Sequence, residues 1–252
     1  MSDEGQVALV TGAGRGIGRA VAQQLSAHGL RVALVARDRG QLDETAAGCA
    51  GPALVITADV TDGDQVDAVY AEVEGRWATV EILIANAGGG HSARLEETTD
   101  TDWQRMLDLN LTAPFRYVRR AVPAMRKSGW GRIVVVASTA ARIGEPYIAA
   151  YTASKHGVLG LVRSAAAELA RTGITVNAVC PAYVDTAMTD TTVANIAAVS
   201  GRSAHDARQA LQRKQPIGRL IEAREVADAV WFCVGNAAVT GQGINVDGGT
   251  VQ

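Results

Sequence analysis

The sequence predicts an α/β fold, a doubly wound parallel sheet with helices on both faces. Three observations predict it. Short apolar runs rich in Val, Ile and Ala recur along the 252 residues. Most are separated by helix-patterned stretches of about twenty residues or more, the length that a crossover between parallel strands needs. The first run ends in a glycine-rich turn that leads straight into an amphipathic helix. With 48% hydrophobic and 20% charged residues the chain can bury a core. No Pro/Gly/Ser linker, low-complexity tract or internal repeat divides it, so 1–252 is read as one domain.

The elements follow in order. Residues 7–10 form the first strand, and the next helix carries Ile17, Ala20, Val21 and Leu25 on one stripe until Gly29 supplies a left-handed stop. Strands are expected at 32–35, 53–56, 82–84, 133–136, 175–179 and 244–246. Before the fifth strand lies a helix with the stripe Trp103, Met106, Leu107 and Leu111, which places the Asn110 amide where it must find buried partners. After the fifth, a helix opened by Tyr151 carries Lys155, Val158, Val162, Ala165 or Ala166, and Leu169 inward. An excursion at about 186–216, with helix-like patches at 193–199 and 204–211, breaks the rhythm and reads as a lid over a ligand site.

Several functions are excluded by composition. Lys and Arg number 24 against 26 Asp and Glu, without a basic run, so a nucleic-acid partner is not expected. No apolar stretch approaches the roughly 20 residues that span a bilayer, and residues 1–6 lack a leader's basic and apolar regions, so a cytoplasmic protein without membrane contact is expected. Cys49, Cys180 and Cys233 contain no Cys-x-x-Cys pair, and His28, His91, His156 and His205 have no ligand spacing. No metal is expected.

The glycine turn Thr11-Gly12-Ala13-Gly14-Arg15-Gly16-Ile17-Gly18 carries the first chemical signal. Gly12, Gly16 and Gly18 let the backbone approach a pyrophosphate at the free N–H groups of a helix N-terminus. The second strand ends Ala36-Arg37-Asp38. Arg15 and Arg37 together can flank a 2'-phosphate, which points to NADPH, whereas Asp38 is the competing acid for a free ribose hydroxyl and so for NAD. Asp59, followed by Val60, either meets the adenine or caps the next helix, and Asn86-Ala87-Gly88 either admits the nicotinamide ribose or closes a loop.

Tyr151 and Lys155 carry the second signal, four residues apart on one helical face. A cation beside a phenol lowers its pKa toward that of a general acid for a ketone oxygen; a core-edge tyrosine with a snorkelling lysine is the bland alternative. Ser138 ends the fifth strand, at the edge where open α/β sheets bind ligands.

On these residues the chain resembles the classical short-chain dehydrogenase/reductase family, with its Thr-Gly-x-x-x-Gly-x-Gly turn and Tyr-x-x-x-Lys pair. The resemblance covers nearly the whole chain. It implies a Rossmann-like sheet of seven parallel strands in a homotetramer, with Tyr151 as proton donor, Lys155 holding the nicotinamide ribose, Ser138 orienting the carbonyl and Asn110 maintaining a water relay. It further implies that Asn86, Ala87, Gly88, Val184 and Thr186 line the cofactor. Ala85 and Ala182 depart from the family's usual Asn and Gly.

Residues 151–157 and 169–181 are similar to 3-oxoacyl carrier-protein reductases and aromatic polyketide ketoreductases. The implied reaction is NADPH-dependent reduction of a β-ketoacyl thioester or polyketide ketone. A NAD-dependent 3-hydroxyacyl-CoA or other secondary-alcohol dehydrogenase is the alternative; a non-catalytic dinucleotide-binding protein fits poorly with the retained Ser138, Tyr151 and Lys155. Arg94, Arg126, Lys127, Arg202, Arg208, Arg213 and Lys214 either attract an acidic carrier or a coenzyme A phosphate, or are merely solvated.

Overall fold

The computed structural model describes residues 5–251. Most of the start read as lacking a leader therefore lies outside the described residues. Seven strands, β1 (Val7–Thr11), β2 (Arg31–Ala36), β3 (Ala53–Thr57), β4 (Ile82–Ala85), β5 (Gly131–Val136), β6 (Ile174–Pro181) and β7 (Gly243–Val246), form one sheet in the order β3-β2-β1-β4-β5-β6-β7. Every pairing is parallel. Each expected strand is present, and each reaches one or more residues further than its apolar run.

The strands are apolar on both faces because helices cover both. Val7 and Leu9 of β1, Ile133 and Val135 of β5, and Val176 and Ala178 of β6 point to one layer, where they meet α3 (Gly63–Arg76), α5 (Ala113–Ser128) and α6 (Ala149–Leu169). Their neighbours Ala8, Val10, Val134, Val136 and Val179 point the other way, against α1 (Gly16–Ala27), α2 (Arg39–Ala47) and α9 (Ala223–Gly235). Period-two alternation thus sorts each strand between two cores, and each fully buried Val, Leu or Ile contributes about 1.5–3 kcal/mol.

Between β4 and β5 the chain forms α4 (Asp100–Leu107), which runs through a π-helical turn (Asp108–Thr112) into α5. Trp103 is 40% exposed, outside the inward stripe expected of it; Met106 is the one residue of α4 that is buried. The wider turn breaks the 3.6-residue register on which that stripe rested.

After β6, α7 (Ala187–Ser200) and α8 (Ala204–Lys214) pack on each other through Val193, Ala207 and Leu211, with Leu220 beneath, as a small core of their own. Arg208 of α8 holds Asp185 and Asp190 at the start of α7. No helix among the described residues is long and apolar enough to cross a membrane.

Candidate active site

Strand order reverses between β1 and β4, the place where the loops of an open α/β sheet part and leave a crevice. A cleft of about 2600 Å³ opens there. Its wall includes Gly12, Arg15, Gly16, Ile17, Gly18, Arg37, Asp59, Val60, Asn86, Ala87, Gly88, Ser138, Tyr151, Lys155, Val184 and Thr186, so the segments that follow β1 through β6 meet in one space.

The glycine turn fits a closely approaching ligand backbone. Gly12 and Gly16 have φ of 65° and 55°. A Cβ at Gly18 would lie 2.1 Å from the Gly12 carbonyl oxygen, and one at Gly12 2.9 Å from the Ala87 Cα. Only glycine satisfies both the conformation and the space. The turn is held from behind: Arg19 donates to the Gly14 carbonyl at 2.6 Å, the Thr45 hydroxyl to the Ala13 carbonyl at 2.9 Å, and Asn86 Nδ2 to the Thr11 carbonyl at 2.9 Å. The Thr11 hydroxyl in turn accepts the Asn86 and Ala87 N–H groups, both at 3.0 Å. Thr45 and Arg19 went unread in the sequence because their partners are backbone atoms brought close by folding.

At the end of the cleft beyond β2, Asp38 is the N-cap of α2, its carboxylate accepting the Gln41 N–H at 3.0 Å. Arg15 and Arg37 are exposed, and neither is ion-paired to a carboxylate among the described residues. Asp59 caps nothing: Asp62 caps α3, and Asp59 accepts the backbone N–H and hydroxyl of Thr61 at 2.9 and 2.7 Å. Those bonds hold its carboxyl below the usual range. The choice between cap and ligand contact that the sequence left open for Asp59 therefore loses its cap, which belongs to the residue three further on.

At the other end, β5 delivers Ser138 into a 3₁₀ turn (Thr139–Ala141), where its hydroxyl accepts the Ala140 N–H at 3.1 Å. Helix α6 presents Tyr151 and Lys155 from its first two turns, and its inward face continues through Val158, Val162, Ala166 and Leu169. Lys155 Nζ donates to the Val136 carbonyl at 2.9 Å and lies 5.7 Å from the Tyr151 ring centroid. Burial dominates both groups: it lowers the ammonium to about 8 and raises the phenol, so the phenol lies above its ordinary value and not below it as the neighbouring cation led the sequence to suggest, while Ser138 pulls it back down and the Glu145 charge adds to the rise.

Asn110 does not face the cleft. It is fully buried on the π-helical turn. Its Nδ2 donates to Gly89 O at 3.0 Å and Met106 O at 3.1 Å, and its Oδ1 accepts the Gly89 N–H at 3.2 Å. The amide thus secures the Gly88-Gly89 loop, and a Cβ on Gly88 would fall 2.9 Å from that Oδ1 and 3.6 Å from Lys155 Nζ. Ala182, the departure from the family's glycine, is also on the cleft wall. Of the scattered cations, Arg126, Arg208 and Lys214 pair with Glu168, Asp185 and Glu145, respectively. No cluster of three or more His, Cys, Asp or Glu arranged to hold a metal occurs among the described residues.

Comparison with known proteins agrees with this geometry. The family model for short chain dehydrogenases matches residues 6–197. The crystal structure of a single-substitution variant of actinorhodin polyketide ketoreductase with NADPH superposes with a TM-score of 0.94 at 39% identity, covering 99% of each chain. The 3-oxoacyl-[acyl-carrier-protein] reductase FabG of Escherichia coli K12 is 35% identical over 99% of this chain and 98% of its own. The D-beta-hydroxybutyrate dehydrogenase of Rhizobium meliloti strain 1021 is 33% identical over 97% and 98%. With glycine turn, reversal-point cleft and Tyr-x-x-x-Lys helix on one parallel sheet, the chain belongs to the short-chain dehydrogenase family, oxidoreductases of C=O and CH–OH groups.

Proposed function

We propose that the protein reduces a ketone with NADPH, the substrate being a β-ketoacyl thioester or polyketide intermediate and Tyr151 the proton donor. The observation that carries this reading is that Ser138, just past the end of β5, and Tyr151 and Lys155, on the first two turns of α6, line one crevice, with Lys155 Nζ 5.7 Å from the Tyr151 ring centroid. The cofactor fits the residues present. The cradle of Gly12, Gly16 and Gly18 leaves room for a pyrophosphate that a Cβ would fill. Arg15 and Arg37 are two unpaired cations for a 2'-phosphate, and the acid that would favour a free ribose hydroxyl is engaged as a helix cap. The relatives support the same class, one being a ketoreductase solved with NADPH and another a 3-oxoacyl-[acyl-carrier-protein] reductase.

When bound, the cofactor supplies the hydride. The chain's own groups do the rest. Ser138 and Tyr151 hold the carbonyl oxygen between two hydroxyls, and Tyr151 gives its proton as negative charge develops there. Lys155 spends one of its three N–H groups on Val136 O and keeps two for the nicotinamide ribose. Asn110 fixes the Gly88-Gly89 loop above them. Residues 186–216, which contain α7 and α8, act as the lid: Met188, Thr192 and Asn195 face the cleft and exclude water over the substrate.

The test is the initial rate of NADPH consumption with an acetoacetyl thioester, against NADH at equal concentration and against Tyr151→Phe. The proposal expects preference for NADPH and a loss of about 10²- to 10⁴-fold in the variant. Preference for NADH would move the assignment to Asp38 and to a secondary-alcohol dehydrogenase, the reading that the hydroxybutyrate dehydrogenase relative favours. An active Tyr151→Phe would remove the proton-donor role.

A further inference from the structure

Beside Tyr151 the substrate half of the cleft holds three polar groups that the reaction itself does not use. Glu145, in the segment leading into α6, accepts a hydrogen bond from the Tyr183 hydroxyl at 2.8 Å and faces Lys214 Nζ at 3.5 Å. Lys214, the last residue of α8, also lies 5.6 Å from the Tyr183 ring centroid. All three line the cleft. The Glu145 side chain is 22% exposed and the Lys214 side chain 54%, so the carboxylate is the less screened of the two charges. Its charge adds to the rise of the Tyr151 phenol, six residues further along the chain on the same cleft wall. Arg94, Glu97 and Arg105, also on the cleft wall, are solvent-exposed.

We infer that Glu145 and Lys214 set the charge selectivity of the substrate site: the carboxylate beside Tyr151 rejects ketones that carry an anionic group next to the reacting carbonyl and admits neutral β-keto esters and thioesters. A carboxylate substrate entering this part of the cleft would bring a second negative charge toward Glu145, whereas a thioester of the same skeleton brings none. Lys214 partly offsets the repulsion from its more solvated side. The inference rests on the ketoreductase reading above and names which member of the β-keto class the site takes.

A mechanical explanation competes, because the same contacts tie α8 to the segment before the catalytic helix. Charge and tether make opposite predictions for a pair of substitutions. Measured with NADPH at neutral pH, the quantity is the ratio of kcat/KM for acetoacetate to that for the acetoacetyl N-acetylcysteamine thioester. Glu145→Gln is expected to raise the ratio by about tenfold or more, since it leaves Lys214 uncompensated; Lys214→Gln is expected to lower it about threefold, since it leaves Glu145 uncompensated. A tether alone would move the ratio in the same direction in both variants, or in neither, and either result overturns the inference. Circular dichroism of each variant reports whether it folds, and Glu145→Ala or Lys214→Met takes the place of a variant that does not, so that both signs are read. If the wild type reduces neither compound with NADPH, the ketoreductase reading itself falls, an outcome distinct from an unmoved ratio in an active enzyme.

Discussion

Replacing Lys155 by methionine removes a charge that the fold holds at some expense. The ammonium is 5% exposed and its pKa is about 8 against an ordinary 10.5. At about 1.36 kcal/mol per pH unit, the charged form destabilises the native state by about 3 kcal/mol at pH 7. Methionine has similar length and no charge, and its loss of the bond to Val136 O costs about 1–2 kcal/mol. The net expectation is a gain of about 1–2 kcal/mol and a rise in Tm of about 2–6 °C, with turnover abolished. The pH dependence gives the signature. Between about 8 and 10.5 the folded lysine binds fewer protons than the unfolded one, so wild-type stability rises with pH across that window and the advantage of the variant shrinks. Thermal and denaturant unfolding without cofactor, at pH 7 and again near pH 10, measure both values. A variant less stable than wild type at pH 7, or an advantage that persists undiminished at high pH, would refute the reasoning.

Other outcomes follow from the same contacts. Gly18→Ala places a methyl 2.1 Å from Gly12 O and 2.6 Å from Asn86 Nδ2; dinucleotide titration should show affinity reduced by more than about tenfold, with stability down about 1–3 kcal/mol. Asn110→Ala strips both partners from the Gly89 N–H and C=O; a stability loss of about 1–3 kcal/mol in urea should accompany a fall in kcat, because the loop above Lys155 is released. Arg37→Ala should weaken NADPH binding about tenfold and leave NADH binding unchanged, and raising the salt concentration should narrow the wild-type preference for NADPH.

The parallel sheet was readable because each strand is buried on both faces, which writes a continuous apolar run into the chain, and because the glycine turn is a local device whose residues are contiguous. The same holds for Tyr151 and Lys155: helical geometry alone puts residues four apart on one face. The segment at 186–216 was legible as an interruption of rhythm, and two helices formed where the apolar patches were. Where local patterning misled, the cause was tertiary. Trp103 belonged to a helical stripe on paper, but Met106 is the buried residue of α4, and the π-helical turn at Asp108–Thr112 breaks the register between that helix and Leu111. Asp59 had an aspartate's capping chemistry, yet the cap went to Asp62 because the helix starts there.

By itself the sequence determined the two-sided core, the strand succession, the glycine turn and the Tyr151–Lys155 pair, since each is encoded within one element or one junction between elements. Only the tertiary structure decided that Asp38 is engaged as a cap while Arg15 and Arg37 stay unpaired, that Asn110 turns its amide to Gly89, and that Glu145, Tyr183 and Lys214 meet beside Tyr151. Those facts join residues from separate loops at the carboxyl edge of the sheet. Their charges, hydrogen bonds and desolvation depend on distances through space, which no periodicity along the chain records.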